Sequence, residues 1–188
     1  RNHAVADTYA RVLSEAERAG DDREAQIEKA RQCWHQGFVA ETIDTFCTDN
    51  EFIDTSGERH GGLLRADDLA NFEAHYEAPA TFDYPAGDHV YTMCKTGPWT
   101  QGPVMLQQLA LLKGYPIAEM DPLGTDFVHT IIECAKLAFA DRDTFYGDPN
   151  FTDVPLDTLL SAAYNDERRA LVGESADQEF RPGTLDGH

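Results

Sequence analysis

Apolar side chains recur every three or four residues along much of the chain, which is the spacing of one face of an α-helix. In residues 4–19, for example, Val5, Tyr9, Val12 and Ala16 fall on one stripe. This spacing, together with the glycines and prolines that interrupt it, predicts helices over residues 4–19, 23–35, 39–47, 66–72, 103–113, 125–146, 157–163 and 166–172. The chain is therefore expected to be mainly helical.

Two of the predicted helices are the most apolar. Residues 103–113 are apolar nearly all round, with Pro103 as the first helical residue, so this helix is expected to be buried. The longest helix begins near Thr125, which is a favourable N-cap residue. Its apolar positions form one broad stripe, expected to face the core, that consists of Phe127, Val128, Ile131, Ile132, Ala135, Ala138 and Phe139.

Residues that favour β-strands are concentrated between residues 80 and 94. Two runs rich in Thr, Tyr, Phe and Val flank the turn-forming residues 85–88, which predicts a β-hairpin. Residues 48–62 are expected to form a loop. Strands and crossover helices do not alternate, so an α+β fold is favoured over a doubly wound one. The 188 residues suffice for a single domain over residues 1–188, whose helices could cover a sheet that the chain itself lacks.

The net charge of the chain limits the classes of partner that it is expected to bind. The chain has 34 acidic and 15 basic residues and a formal net charge of -19. Nucleic acids and anionic membranes both need a basic surface, so neither is predicted as a partner. The longest apolar stretch, residues 104–112, is interrupted by two glutamines and is far shorter than the ~20 residues of a membrane span. The chain begins without methionine, which favours a processed or incompletely ordered piece and leaves periplasmic and cytoplasmic locations open.

Four widely spaced cysteines, Cys33, Cys47, Cys94 and Cys134, form no CxxC pair, so a zinc knuckle is not expected. Cys134 lies in an apolar helical pattern and is interpreted as a small core residue. A disulfide between Cys33 and Cys47 stays open, although the chain is not a small cysteine-dense scaffold.

Polar residues on the longest predicted helix are candidates for chemistry. His129 and Glu133 are four residues apart, a spacing that suits two metal ligands, but no third ligand is near. Buried hydrogen bonding is therefore favoured for this pair, and no metal is predicted. Asp141, Arg142 and Asp143 are consecutive, and neighbouring helical positions point about 100° apart. Structural ion pairs are accordingly favoured over a facing pair of catalytic carboxylates.

Asp54, Ser56 and His60 have the residue types of a catalytic triad. A triad is defined by geometry, and no strand–turn–helix elbow surrounds Ser56. A solvated loop is the favoured interpretation.

The most unusual stretch is Gly97-Pro98-Trp99-Thr100-Gln101-Gly102-Pro103, in which two Gly-Pro steps restrict the backbone. Trp99 offers a flat apolar surface with one donor, and Gln101 offers both a donor and an acceptor. The stretch lacks the lysine of a phosphate-binding loop. We predict that Trp99, Thr100 and Gln101 form one wall of a substrate pocket, with a purely structural turn as the alternative.

Residues 125–155 contain a series of motifs. They are His129, Glu133, Lys136, Ala140-Asp141-Arg142, Gly147-Asp148-Pro149, Phe151 and Val154-Pro155. Their order and spacing resemble the gamma-glutamyltransferase family. Three further stretches are similar to that family, namely Gly37-Phe38-Val39-Ala40-Glu41, residues 61–69 and Arg181-Pro182-Gly183. The last of these resembles the segment shortly before the family's self-cleavage point.

This resemblance implies the mainly helical portion of an N-terminal-nucleophile (Ntn) hydrolase with an αββα four-layer sandwich. The chain would be the C-terminal part of the large subunit of an autoprocessed zymogen, with residues 174–188 as the tail leading to the cleavage site. The small subunit would begin with the nucleophilic threonine, so no catalytic residue is expected in this chain. The implied activity is cleavage or transfer of gamma-glutamyl amides such as glutathione, without a cofactor.

One departure from the family pattern keeps alternatives open. Transpeptidase members carry Pro-Pro-Ser-Ser-Gly-Gly where this chain has residues 97–102, and the bulk of Trp99 would reshape the pocket wall. A related amidohydrolase of the cephalosporin-acylase kind, without transferase activity, is one alternative. A stand-alone acidic helical module that binds a partner protein is an alternative from another class.

Overall fold

The computed structural model describes residues 2–185, which divide into two compact units, one ending at His75 and one starting at Tyr76. The assignment of residues 1–188 to a single domain stays a prediction. Among the described residues, no helix has the length and apolar character needed to cross a membrane.

The first unit is a group of helices with a small two-stranded ribbon. Its helices are α1 (His3–Glu17), α2 (Arg23–His35), α3 (Phe38–Asp49) and α4 (Ala66–Asn71). The side chains of Asn2 and Asp22 cap α1 and α2 by accepting hydrogen bonds from backbone N–H groups, which fixes where each helix begins. Val12, Cys33 and Val39 form the core between these helices. The helices predicted over residues 4–19, 23–35, 39–47 and 66–72 are confirmed within a few residues.

The prediction of a loop over residues 48–62 is wrong in part. Strands β1 (Glu51–Ile53) and β2 (Arg59–Gly61) pair antiparallel there. Asp54 closes the intervening turn, because its Oδ1 accepts hydrogen bonds from both the backbone N–H and the hydroxyl of Ser56. Strands of three residues are too short to show an alternating pattern in the sequence.

The second unit contains the predicted hairpin and the most apolar helices. Its elements are β3 (Ala80–Ala86), β4 (His89–Lys95), α5 (Gly102–Leu112), a 3₁₀ turn (Ile117–Glu119), α6 (Thr125–Phe145), α7 (Leu156–Leu159) and α8 (Ala162–Arg169). Ala86 pairs with His89, so the hairpin turns through only two residues, and Gly87 supplies the positive φ of 59°. The β-hairpin prediction is confirmed.

The main core of this unit lies between α5 and α6. Val104, Leu111, Cys134, Leu137 and Ala138 form one buried cluster. A second cluster joins Phe145 at the end of α6 to residues of α7, α8 and the tail. The burial predicted for α5 is confirmed, and Leu106 and Leu111 are fully buried.

The predicted inward stripe of α6 is wrong at three of its seven positions, and Ala138 is the one stripe residue that is fully buried. Val128, Ile132 and Phe139 are 51%, 51% and 40% exposed. The buried side of the helix is instead made of Thr130, Glu133, Cys134, Leu137, Ala138, Ala140, Asp141 and Phe145. Polar residues occupy this side because other segments supply their hydrogen-bond partners, which a helical repeat does not reveal. The N-cap of α6 is Gly124, and Thr125 is the first helical residue.

All four cysteines are free, so Cys33 and Cys47, whose pairing the sequence left open, do not form a disulfide. Cys33 is buried, and its thiol lies 3.6 Å from a carboxylate oxygen of Glu15 on α1. Cys47, on α3, lies against Gly62, where an added Cβ would be 2.7 Å from the Cys47 sulfur. The two thiols therefore have different neighbours.

We expect Cys134 to resist alkylation in the native protein. Burial raises the pKa of Cys134 to about 11, so the thiol stays protonated at pH 8, and only the thiolate reacts. Iodoacetamide labelling followed by peptide mass spectrometry should modify exposed Cys94 first and Cys134 only after unfolding in urea. Equal labelling rates for both cysteines in the native protein would contradict this assignment.

Candidate functional site

An open cleft of about 440 Å³ lies between the loop that precedes α5 and the C-terminal end of α6. It is lined by Pro98, Trp99, Thr100, Gln101, Arg142, Asp143, Tyr146, Gly147 and Asp148. The three predicted pocket residues are therefore together on one wall. The opposite wall comes from residues 142–148, which the sequence offered as family motifs and not as parts of a pocket.

Thr100 shapes the loop. Its Oγ1 accepts a hydrogen bond from the Gly102 backbone N–H at 3.0 Å, and its own N–H donates to the Gly97 carbonyl at 3.1 Å. At Gly102 the chain passes so close to the end of β4 that an added Cβ would lie 2.2 Å from the carbonyl oxygen of Thr96, the residue after the strand. The Thr100 hydroxyl thus has partners within the loop, and the glycine is required by close approach.

Gln101 ties the loop to α6. Its Oε1 accepts a hydrogen bond from Arg142 Nη1 at 2.8 Å. The same guanidinium donates from Nε to Asp143 Oδ1 at 2.8 Å and lies 4.7 Å from the ring centroid of Phe139. The Asp143 carboxylate offsets the Arg142 charge, and the planar fork of the arginine holds the two walls together.

Trp99 and Tyr146 are the two aromatic residues among those that line the cleft. Trp99 is 45% exposed at the edge of the cleft. The Tyr146 hydroxyl is buried and has no hydrogen-bond partner within the described part of the chain. Burial raises the pKa of Tyr146, and the nearby negative charge of Asp141 adds to this effect, so the phenol remains a neutral donor.

The His129 and Glu133 pair has structural partners. His129 Nε2 lies 2.8 Å from the Gly173 carbonyl oxygen, and Glu133 is 1% exposed and forms ion pairs with Lys136 and Arg181. Burial raises the pKa of Glu133, but hydrogen bonds and charge from its cationic partners outweigh burial, and the net shift is downward. In residues 2–185 no three His, Cys, Asp or Glu side chains are grouped to hold a metal ion.

The two aspartates that flank Arg142 point in different directions. Asp141 is fully buried and accepts hydrogen bonds from Gln107 at 2.6 Å and from the Gly183 backbone N–H at 2.7 Å. Asp143 lies at the surface and bonds to Arg142. They form no facing carboxylate pair, which agrees with their helical spacing.

Asp54, Ser56 and His60 do not form a triad. Asp54 occupies the centre, with its Oδ1 accepting from the Ser56 hydroxyl at 2.6 Å and its Oδ2 lying 2.7 Å from His60 Nδ1. Hydrogen bonds from Ser56 and then His60 lower the pKa of Asp54. Because the Ser56 hydroxyl bonds to the carboxylate and not to the imidazole, His60 is not placed to take its proton.

The described residues combine helices with two short antiparallel hairpins, and the open cleft lies in the unit that starts at Tyr76. The sequence model of the gamma-glutamyltranspeptidase family matches residues 2–187. The chain belongs to this family, and the resemblance drawn from its motifs is confirmed.

Individual relatives agree with this assignment. Acylase ACY 1 proenzyme of Pseudomonas sp. (strain SE83) is 34% identical over 128 residues, which are 68% of this chain and 22% of that protein. A solved structure named LmbA2991HD is 53% identical with a TM-score of 0.79, and the match covers 97% of this chain and 30% of that one. Cephalosporin acylase from Bacillus halodurans is 30% identical with a TM-score of 0.65, covering 86% of this chain and 27% of that one.

The chain spans 22% and 27% of the length of two curated relatives, the Pseudomonas acylase and the YwrD glutathione hydrolase-like proenzyme of Bacillus subtilis. Those relatives are enzymes, and both are named as proenzymes.

Proposed function

We propose that this chain is the C-terminal part of the large subunit of an autoprocessed Ntn hydrolase that cleaves or transfers gamma-glutamyl amides such as glutathione. The family match over residues 2–187 carries this proposal, together with relatives named glutathione hydrolase and acylase proenzymes. Residues 1–188 would form one domain of that subunit. Residues 174–188 would lead to the cleavage site, and residues 186–188 of this tail lie outside the described residues.

The proposed reaction uses a nucleophile on a companion chain. The N-terminal threonine of the small subunit attacks the amide carbonyl with its hydroxyl, and its own amine acts as the base. Backbone donors stabilise the oxyanion. Water resolves the acyl-enzyme in hydrolysis, and an amino acid or peptide resolves it in transfer. This chain would contribute the wall formed by Trp99, Thr100 and Gln101.

The exposed stripe on α6 supports a place in a larger sandwich. Val128, Ile132 and Phe139 recur at helical spacing and are each at least 40% exposed in this chain. A continuous apolar face of this kind normally packs against another layer. A helical layer of an αββα sandwich accounts for it, since the sheets would come from the rest of the enzyme.

Trp99 favours a second candidate, an acylase without transferase activity. The aromatic ring stands on the cleft wall where the transpeptidase pattern has small and hydroxylated residues. A flat apolar wall suits an aliphatic or aromatic acyl group better than a charged amino-acid head group. A dipeptide acceptor distinguishes the candidates, because a rate increase supports transfer and an unchanged rate supports hydrolysis.

Denaturing mass spectrometry with N-terminal sequencing of each species in the purified full-length protein tests the proposal. Two chains, with the smaller one beginning at threonine, would support autoprocessing. A single intact chain that folds cooperatively would reject it and favour the remaining alternative, an acidic helical module that binds a partner protein.

We expect Trp99→Ala to raise KM by about tenfold with a smaller effect on kcat, because partial burial of an indole against substrate is worth about 1–2 kcal/mol. Steady-state kinetics with a gamma-glutamyl amide and with an acyl amide would measure this. Phe151→Ala is the matched control, since Phe151 is 88% exposed and does not line the cleft. Equal changes in KM for the two variants would remove Trp99 from the site.

A further inference from the structure

The segment that follows α8 is held to α6 and α8 by polar and charged side chains along its length. Its carbonyl groups at Gly173 and Asp177 contact His129 and Lys136, both on α6. The side chain of Arg181, further along, pairs with Glu133, also on α6, with Nη2 and Oε2 3.1 Å apart. Polar anchors therefore recur from residue 173 to residue 181.

The tightest anchor is a buried ion pair beneath residues 181–183. Asp141 and Arg168 are 0% and 4% exposed, and their charged groups lie 3.1 Å apart. Asp141 Oδ1 also accepts the Gly183 N–H at 2.7 Å, and Arg168 Nη2 donates to the Arg181 carbonyl. The Asp141 carboxylate and the Arg168 guanidinium thus both bind the backbone of residues 181–183.

Steric fit supports the same anchoring. A Cβ added to Gly183 would lie 1.9 Å from the Tyr164 hydroxyl oxygen and 2.8 Å from its ring carbon. Two residues later Leu185 is buried in the cluster with Phe145, Leu159 and Tyr164. The chain is thereby fixed in both position and direction at residues 183–185.

From this geometry we propose that Asp141 and Arg168 are positioning residues for self-cleavage, because they hold residues 181–185 so that the peptide bond cut during maturation is presented at a fixed place. This inference rests on the proposed function. Self-cleavage requires the threonine oxygen to bond to the carbonyl carbon of the preceding residue. The C–N bond then breaks, the amine takes up the hydroxyl proton, and water hydrolyses the resulting ester. A displacement of about 1 Å can slow such an attack by a hundredfold.

A buried ion pair costs desolvation energy that a pair of apolar residues would avoid, so stability alone does not account for it. Its bonds to backbone groups of the tail give it a positional role. That role separates Arg168 from its neighbour Arg169. The guanidinium of Arg169 instead donates to the Leu111 and Ala110 carbonyls of α5 at 2.7 and 3.0 Å.

The test follows conversion of the full-length precursor into two chains, by denaturing gel and mass spectrometry, for wild type, Arg168→Lys and Arg169→Lys. Lysine keeps the charge and loses the fork in both variants, and thermal unfolding measures the structural cost in each. We expect Arg168→Lys to slow conversion by about tenfold to a hundredfold. Arg169→Lys should convert at the wild-type rate despite a similar loss of stability.

Two further measurements separate positioning from folding. Hydrogen exchange of the peptide containing Gly183 should be faster in Arg168→Lys than in Arg169→Lys. Co-expression of separately encoded subunits bypasses cleavage and should restore activity to Arg168→Lys. Conversion of Arg168→Lys at the wild-type rate, or equal slowing in both variants, overturns the inference while the proposed function stands. A wild-type precursor that never divides overturns the proposed function and this inference with it.

Discussion

Replacing Asp141 with alanine is expected to lower the free energy of unfolding by about 3–5 kcal/mol, because removal of one partner leaves the Arg168 charge buried without its counter-ion. Asp141 is fully buried and receives hydrogen bonds from Gln107, Arg168 and the Gly183 backbone. Each of these donors would lose an acceptor at once. Urea denaturation of the full-length protein, followed by near-ultraviolet circular dichroism, would measure the change.

Asp143→Ala is the matched control for this prediction. Asp143 is two residues away on the same helix, lies at the surface and bonds to Arg142. Exposed ion pairs contribute about 0–1 kcal/mol, so its loss should be small. Comparable losses for the two variants would show that the buried network has little energetic importance.

Replacing Leu137 with alanine is expected to cost about 2–5 kcal/mol, the range for a large side chain removed from a close-packed core. Leu137 is 1% exposed and packs in the cluster with Val104, Leu111 and Cys134 between α5 and α6. Neighbours fixed on two helices leave little room for collapse into the cavity, which favours the upper part of the range.

The same denaturation experiment on Leu123→Ala provides the comparison. Leu123 is 93% exposed, and surface substitutions of this kind usually change stability by less than about 0.5 kcal/mol. A loss at Leu137 no larger than at Leu123 would mean that the helices do not pack as described.

Local patterns in the sequence predicted the elements well. The spacing of apolar residues and the positions of glycine and proline gave helices α1 to α3 and α5, because these signals act over a few neighbouring residues. The hairpin followed from two β-rich runs around Gly87. Ribbon β1–β2 was missed because strands of three residues carry too little pattern.

Which face of α6 is buried could not be predicted from the residues of α6 alone. The apolar residues Val128 and Ile132 recur at helical spacing yet are exposed, whereas the charged residues Glu133 and Asp141 are buried. Their burial depends on Arg181 and Arg168, which come from segments far along the chain. A local repeat contains no information about such partners.

The candidate site was predicted only in part, because one of its two walls depends on contacts between distant parts of the chain. Trp99 and the two Gly-Pro steps predicted a rigid loop, because proline restricts the backbone of its immediate neighbours. The opposite wall, with Arg142 and Tyr146, is brought there by packing of α5 against α6. The hydrogen bond between Gln101 and Arg142 spans 41 positions in sequence, and no local signal indicated it.

Arg169 on α8 caps the C-terminal end of α5, because it donates hydrogen bonds to the Leu111 and Ala110 carbonyls. The last carbonyls of a helix have no partner within it. In α5 these carbonyls accept hydrogen bonds from the guanidinium of Arg169, which lies on α8 and is 58 positions from Leu111. The final turn of α5 therefore depends on α8 being folded, and the two should open together as one cooperative unit in native-state hydrogen exchange.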